Sequence, residues 1–178
     1  MQGKRARRIS TYGMLIALAM ILSYVESLVP AFWAVPGMKL GLTNIVVLFA
    51  LYCIGTGSAV GINLLRVFLV SVLFGSGFGL YYSLAGALLS GLVMIGLKKT
   101  GWFRMITVSV AGGVAHNVGQ ILAAYVLLRT QALLGYLVIL WFAGMLSGAL
   151  IGVMGAIVCE RLKRFVSFEG NDSRKGLE

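Results

Sequence analysis

The sequence predicts an all-α, polytopic membrane protein: a six-transmembrane-helix bundle with both termini cytoplasmic. Three observations carry this reading. Of the 178 residues, 60% are apolar and only 11% are charged, whereas soluble domains average about 45–50% and about 25%. Six stretches approach or reach the ~20 mostly apolar residues that a spanning helix needs. Lys and Arg collect in the loops of one side, which orients the chain.

Each stretch has its own punctuation. The first, 11–29, follows Lys4, Arg5, Arg7 and Arg8 and stops at Pro30. It lacks a small-residue cleavage site and further spans follow it, so it reads as a retained helix and not a signal peptide. The second, 39–55, lies between Pro36 and Gly55-Thr56-Gly57, and the third, 57–75, ends at Gly75-Ser76-Gly77. The fourth, 79–97, stops at Lys98-Lys99-Thr100-Gly101, and the fifth, 106–128, at Arg129-Thr130-Gln131. The sixth, 133–159, runs to Arg161. With the amino terminus inside, Lys4, Arg5, Arg7, Arg8, Lys98, Lys99 and Arg161 lie in the cytoplasm together with Arg104, Lys163, Arg164, Arg174 and Lys175, and of the loop cations only Lys39 and Arg129 lie outside. Residues 1–165 are expected to form a single transmembrane domain and 166–178 a polar, disordered cytoplasmic tail.

Formal charge is +10, but no helix presents a basic face, which argues against nucleic-acid binding. Cys53 and Cys159 have neither metal nor redox spacing. Both fall near cytoplasmic helix ends and read as thiols packed within the protein.

Helices in lipid associate through close backbone contact and polar pairs, because lipid tails are as apolar as leucine. Small residues recur at the required spacing: Gly144, Gly148, Gly152 and Ala156; Ala115, Gly119 and Ala123; Gly86 with Ser90; Ala87 with Gly91. These predict intramolecular contacts. Gly13 and Ala17 form an isolated pair near the cytoplasmic end of the first helix, which would suit docking of a partner's helix.

Arg66 is the strongest pointer to a site. It stands at the centre of the apolar run 57–75, where a charge needs a partner or an aqueous cavity. Its planar fork suits a carboxylate or phosphate. At about 1.5 Å per residue, Asn63 lies one turn deeper on the same face. Glu26 falls near the outer end of the first helix, and Lys39, Thr43 and Asn44 in the outer turns of the second. His116, Asn117 and Gln120 run from mid-depth outward on the fifth. Polar groups thus gather in the outer half, which predicts an outward-facing pocket. Trp33, in the Pro30–Pro36 connection, would belong to a lid, and Tyr81, Tyr82 and Trp141 would complete an aromatic wall. The expected substrate-binding set is Glu26, Trp33, Lys39, Asn44, Asn63, Arg66, Tyr82, His116, Asn117 and Gln120. Several have a structural alternative: interhelical hydrogen bonding for Asn63, a satisfied core position for His116, charge neutralisation for Glu26, a structural role for Arg66, and interfacial anchoring for Trp33 and Lys39. The fitting ligand is small and partly apolar, with an anionic or hydrogen-bonding group.

Catalysis is not expected. Asp172 is the only aspartate, so no carboxylate pair exists to hold Mg²⁺ on a diphosphate. No Walker, nucleophile-elbow or zinc-helix motif appears. Neither a metal nor a cofactor is expected.

Four ordered motifs carry a resemblance over about residues 10–160. They are Met38-Lys39-Leu40-Gly41-Leu42-Thr43-Asn44, Asn63-Leu64-Leu65-Arg66-Val67, Tyr82 to Ser90, and Ala115-His116-Asn117-Val118-Gly119-Gln120. Together they resemble the Gx transporter family, also labelled heptaprenyl diphosphate synthase component I. More broadly, that family resembles the substrate-binding S-components of energy-coupling factor transporters. The resemblance implies six helices, an outward-facing pocket covered by the loop after the first helix, and uptake of a vitamin or cofactor precursor. It also implies a transmembrane coupling subunit, docked on the first helix at Gly13 and Ala17, and ATPase subunits. Two alternatives remain open: an accessory subunit in prenyl diphosphate or quinone metabolism, and a subunit of a flavin- or quinone-linked electron-transfer system, faintly suggested by Thr56-Gly57-Ser58-Ala59.

Overall fold

The computed structural model describes residues 2–28, 41–74 and 77–162, and every regular element among them is helical. The elements are α1 (Gln2–Leu28), α2 (Asn44–Phe49) continued by a π-helix (Ala50–Ile54), α3 (Thr56–Phe74), α4 (Gly77–Thr100), α5 (Met105–Leu128), the short α6 (Ala132–Gly135) and α7 (Leu137–Leu162). Five helices are long and apolar enough to cross a bilayer, namely α1, α3, α4, α5 and α7. The protein is a multi-pass membrane protein. Its large exposed apolar side chains, such as Leu146 and Val126, face lipid.

The second stretch is shorter as a helix than 39–55 suggests. A turn over Gly41–Thr43 precedes it, with the Asn44 N–H donating to the Gly41 carbonyl at 2.7 Å. Six α-helical and five π-helical residues follow, rising roughly 16 Å, about half of the ~30 Å hydrocarbon core. This short element is nevertheless the most enclosed in the bundle, with every residue from Val46 to Leu51 buried. A π-helix shifts the backbone bonds to i→i+5, and the Gly55 N–H accordingly donates to the Ala50 carbonyl at 2.9 Å. That shift frees the Leu51 carbonyl to accept from Lys98 Nζ, while the ammonium also lies 5.3 Å from the Tyr52 ring centroid. Gly55 has φ +148°, a conformation essentially restricted to glycine, and it reverses the chain into α3.

Gly86 of α4, Gly119 of α5 and Gly144, Gly148 and Gly152 of α7 make the close contacts that their spacing predicts, whereas Gly91 of α4 does not, since nothing lies within 4 Å of a Cβ built there. A Cβ on Gly113 of α5 would lie 2.5 Å from the Gly144 carbonyl oxygen of α7, and one on Gly148 would lie 2.7 Å from Val110 Cα. A Cβ on Gly119 would lie 2.8 Å from the Ala85 carbonyl oxygen of α4. On the other side of the bundle, Tyr12 of α1 and Ser58 of α3 share a 2.7 Å hydrogen bond. Cys53 and Cys159 are brought together, sulfur to sulfur 2.7 Å apart, where the π-helix meets α7. Gly13 and Ala17 are both exposed, and nothing lies within 4 Å of a Cβ built on Gly13.

Candidate functional site

Arg66 lies roughly 15 Å along α3 from Thr56 and is only 8% exposed. Its Nη2 donates to Asn63 Oδ1 at 2.8 Å, a pairing that the i, i+3 spacing on one helix face permits. Its Nη1 donates to Thr43 Oγ1. Thr43 is the N-cap of α2 but makes no capping hydrogen bond, because its hydroxyl is turned to the guanidinium. The Arg66 Nε–H is buried and has no partner among the described residues.

Glu26, also 8% exposed, completes this cluster from α1. Its Oε1 accepts the backbone N–H of Gly41, two residues before the Thr43 that holds Arg66. Gly41 has φ +73°, the left-handed region that glycine adopts without a steric penalty. The Asn44 amide nitrogen would sit 3.2 Å from a Cβ at Gly41, so the glycine makes room for it. Three segments therefore meet at one buried cation: the outer end of α1, the turn leading into α2, and mid-α3.

The polar residues of α5 divide between two neighbours. Asn117 donates from Nδ2 to the Leu140 carbonyl of α7 at 2.8 Å, so its amide bonds α5 to α7. His116 and Gln120 face α4, where a Cβ on Gly86 would lie 3.0 Å from His116 Cε1 and 2.8 Å from Gln120 Cγ. Gln120 Oε1 is buried without a hydrogen-bond partner among the described residues. Half-buried Tyr82 lies one turn outward of Gly86 on α4. Tyr81 and Trp141 are exposed and lie on the surface, not in an aromatic wall. Trp33 and Lys39, with the rest of the proposed lid, lie outside the described residues.

The structure thus brings Glu26, Asn44, Asn63 and Arg66 together and directs Asn117 elsewhere. His116 and Gln120 belong to the α4–α5 contact. Thr43, read from the sequence as an outer polar group but not as part of the binding set, and Gly41 join them; a threonine two residues after a glycine in an apolar stretch was the signal. A cavity of about 90 Å³ lies between α2, α3 and α4, with Asn63 on its wall. It extends from the Arg66 cluster toward the Lys98–Lys99 end of α4, not toward the side that Lys39 and Arg129 would occupy.

The profile of a family described as heptaprenyl diphosphate synthase component I matches residues 15–158. No curated protein and no solved structure matches the chain.

Proposed function

The chain belongs to the heptaprenyl diphosphate synthase component I family, and we propose that it acts as a membrane substrate-binding subunit for uptake of a small solute. One observation carries the reading: Arg66 is buried at mid-span, held by Thr43 and Asn63, with its Nε–H uncommitted among the described residues. Charged groups in spanning segments are costly and typically line substrate or ion paths. Buried polar groups are generally hydrogen-bonded, so a buried N–H without an acceptor points to a partner from outside the protein. The ligand is a small, partly apolar molecule bearing a carboxylate, a phosphate or another strong hydrogen-bond acceptor. Asn44, Glu26 and the residues that carry Trp33 and Lys39 would surround it, with Tyr82, His116 and Gln120 contributing from α4 and α5.

In this reading the chain performs no chemistry. Its one aspartate, Asp172, cannot form the carboxylate clusters that hold Mg²⁺ on a diphosphate. Energy for transport comes from a transmembrane coupling subunit with ATPase subunits, and the exposed Gly13–Ala17 face of α1 is where the coupling subunit docks.

The family description favours a second reading, an accessory membrane component in prenyl diphosphate synthesis. A prenyl-chain elongation assay with and without this subunit separates the two: transport predicts equal elongation, and the accessory role predicts a loss. The first reading is tested by native mass spectrometry of the protein purified from its own membrane, beside Arg66→Gln. Wild type is expected to retain a small molecule that the variant lacks. Equal retention by both removes Arg66 from the site.

A further inference from the structure

The cavity beside Asn63 is a slot, and its surroundings indicate what fills it. Its walls are hydrocarbon, with Val47 and Leu51 of the buried short helix at the back and Ala59 and Gly91 at the sides; Asn63 is the one polar residue lining it. No atom lies within 4 Å of a Cβ built on Gly91, so the missing side chain leaves real space. The rim residues Val60, Leu88 and Leu92 are 38%, 48% and 69% exposed, so the slot opens sideways between α3 and α4 onto the bilayer. The slot measures ≈ 90 Å³, and cavities walled by hydrocarbon stay dry. The medium at its mouth is hydrocarbon, which enters at no cost in desolvation. At its inner end the Asn63 amide accepts from Arg66, whose Nε–H has no acceptor among the described residues. One side chain therefore joins a lipid-facing apolar slot to a buried cation.

We propose that this slot holds the hydrocarbon chain of a single-chain anionic amphiphile that enters from the bilayer, its carboxylate or phosphate head seated at Asn63 and Arg66. The inference rests on the reading of Arg66 as a ligand-binding group and adds the ligand's class and route. A carboxylate or phosphate head is required because these acceptors match the guanidinium fork and form its strongest hydrogen bonds. A single chain is required because the slot between α3 and α4 is small, ≈ 90 Å³. The route is lateral because the slot runs to the lipid face.

The test uses the full chain in lipid nanodiscs and a dodecyl phosphate carrying a diazirine at the end of its chain. After photolysis, labelled peptides are located by mass spectrometry. Labelling is expected at residues 59–64 and 87–95, and excess dodecyl phosphate should suppress it, while dodecyl maltoside or inorganic phosphate should not. Gly91→Leu fills the slot and Val60→Trp blocks its mouth from the lipid side; each is expected to lower labelling about ten-fold, which corresponds to about 1.4 kcal/mol. Arg66→Gln is expected to lower it as well. Label spread evenly over the lipid-facing surface, or slot labelling indifferent to Gly91→Leu and Val60→Trp, overturns the proposal. So does labelling that survives Arg66→Gln, because the head would then have no seat. If the small molecule retained on native purification depends on Arg66 but no slot labelling occurs, the chain-binding inference fails while the substrate-binding reading stands.

Discussion

An unassisted charge at the centre of a spanning helix costs between about 2.5 and more than 10 kcal/mol, and the bonds from Arg66 to Thr43 and Asn63 reduce that cost. A hydrogen bond to a charged group contributes about 1.5–3 kcal/mol, so Thr43→Val is expected to lower stability by about that amount. It should also weaken ligand retention, because the fork loses an anchor. Asn117→Leu is expected to behave differently. Interhelical hydrogen bonds in membranes contribute about 0.6 kcal/mol on average and up to ~1.7, so removing the bond to Leu140 should lower thermal stability in micelles slightly and leave retention unchanged. Loss of retention in Asn117→Leu would return that residue to the site. Glu26, Asn63 and Arg66 were legible in the sequence because ionic and amide groups stand out in apolar runs. The division of His116, Asn117 and Gln120 was not legible. Successive helical residues point about 100° apart, and only the placement of α4 and α7 decides which neighbour each one meets.

Five of the six apolar stretches match full-length helices, because apolar length and Lys/Arg flanks fix where a chain crosses a bilayer. The second is the exception. Hydropathy over 39–55 could not reveal that Gly41 adopts a positive φ or that Thr43 spends its hydroxyl on Arg66. Those two choices delay the helix to Asn44. The glycine contacts offer a test at this scale. A Cβ at Gly113 meets backbone at 2.5 Å, whereas one at Gly13 meets nothing. Gly113→Ala is therefore expected to cost about 1–3 kcal/mol by overpacking, and Gly13→Ala to leave thermal stability unchanged. Equal effects would contradict the α5–α7 contact. The short helix has its own test in the Cys53–Cys159 pair. Mild oxidation of the purified protein should join these thiols within one chain, read as a linked peptide pair by mass spectrometry under non-reducing conditions. Only intermolecular products would place the π-helix away from α7.

At the scale of the whole molecule, α4, α5 and α7 form a closely fitted glycine-rich unit, and α1, α3 and the short helix gather around the buried cation. The Lys and Arg distribution orients both. A cysteine placed at Arg129 is expected to react with a membrane-impermeant maleimide added to intact cells, and one at Lys99 only after permeabilisation; the reverse pattern would invert the bundle. Membrane residence could be read from composition and five of the spanning helices from apolar runs along the chain, whereas the site is a meeting of three segments distant in sequence, and their approach depends on the turn at Gly41. The central claim is that Arg66 keeps a donor available for a ligand. It is tested most directly by an experimental density map of the protein extracted with its native lipid. The account predicts non-protein density within hydrogen-bonding distance of Arg66 Nε, continuing past Asn63 between α3 and α4. A map in which a side chain of this protein accepts from Nε, with protein filling the space beside Asn63, would contradict it.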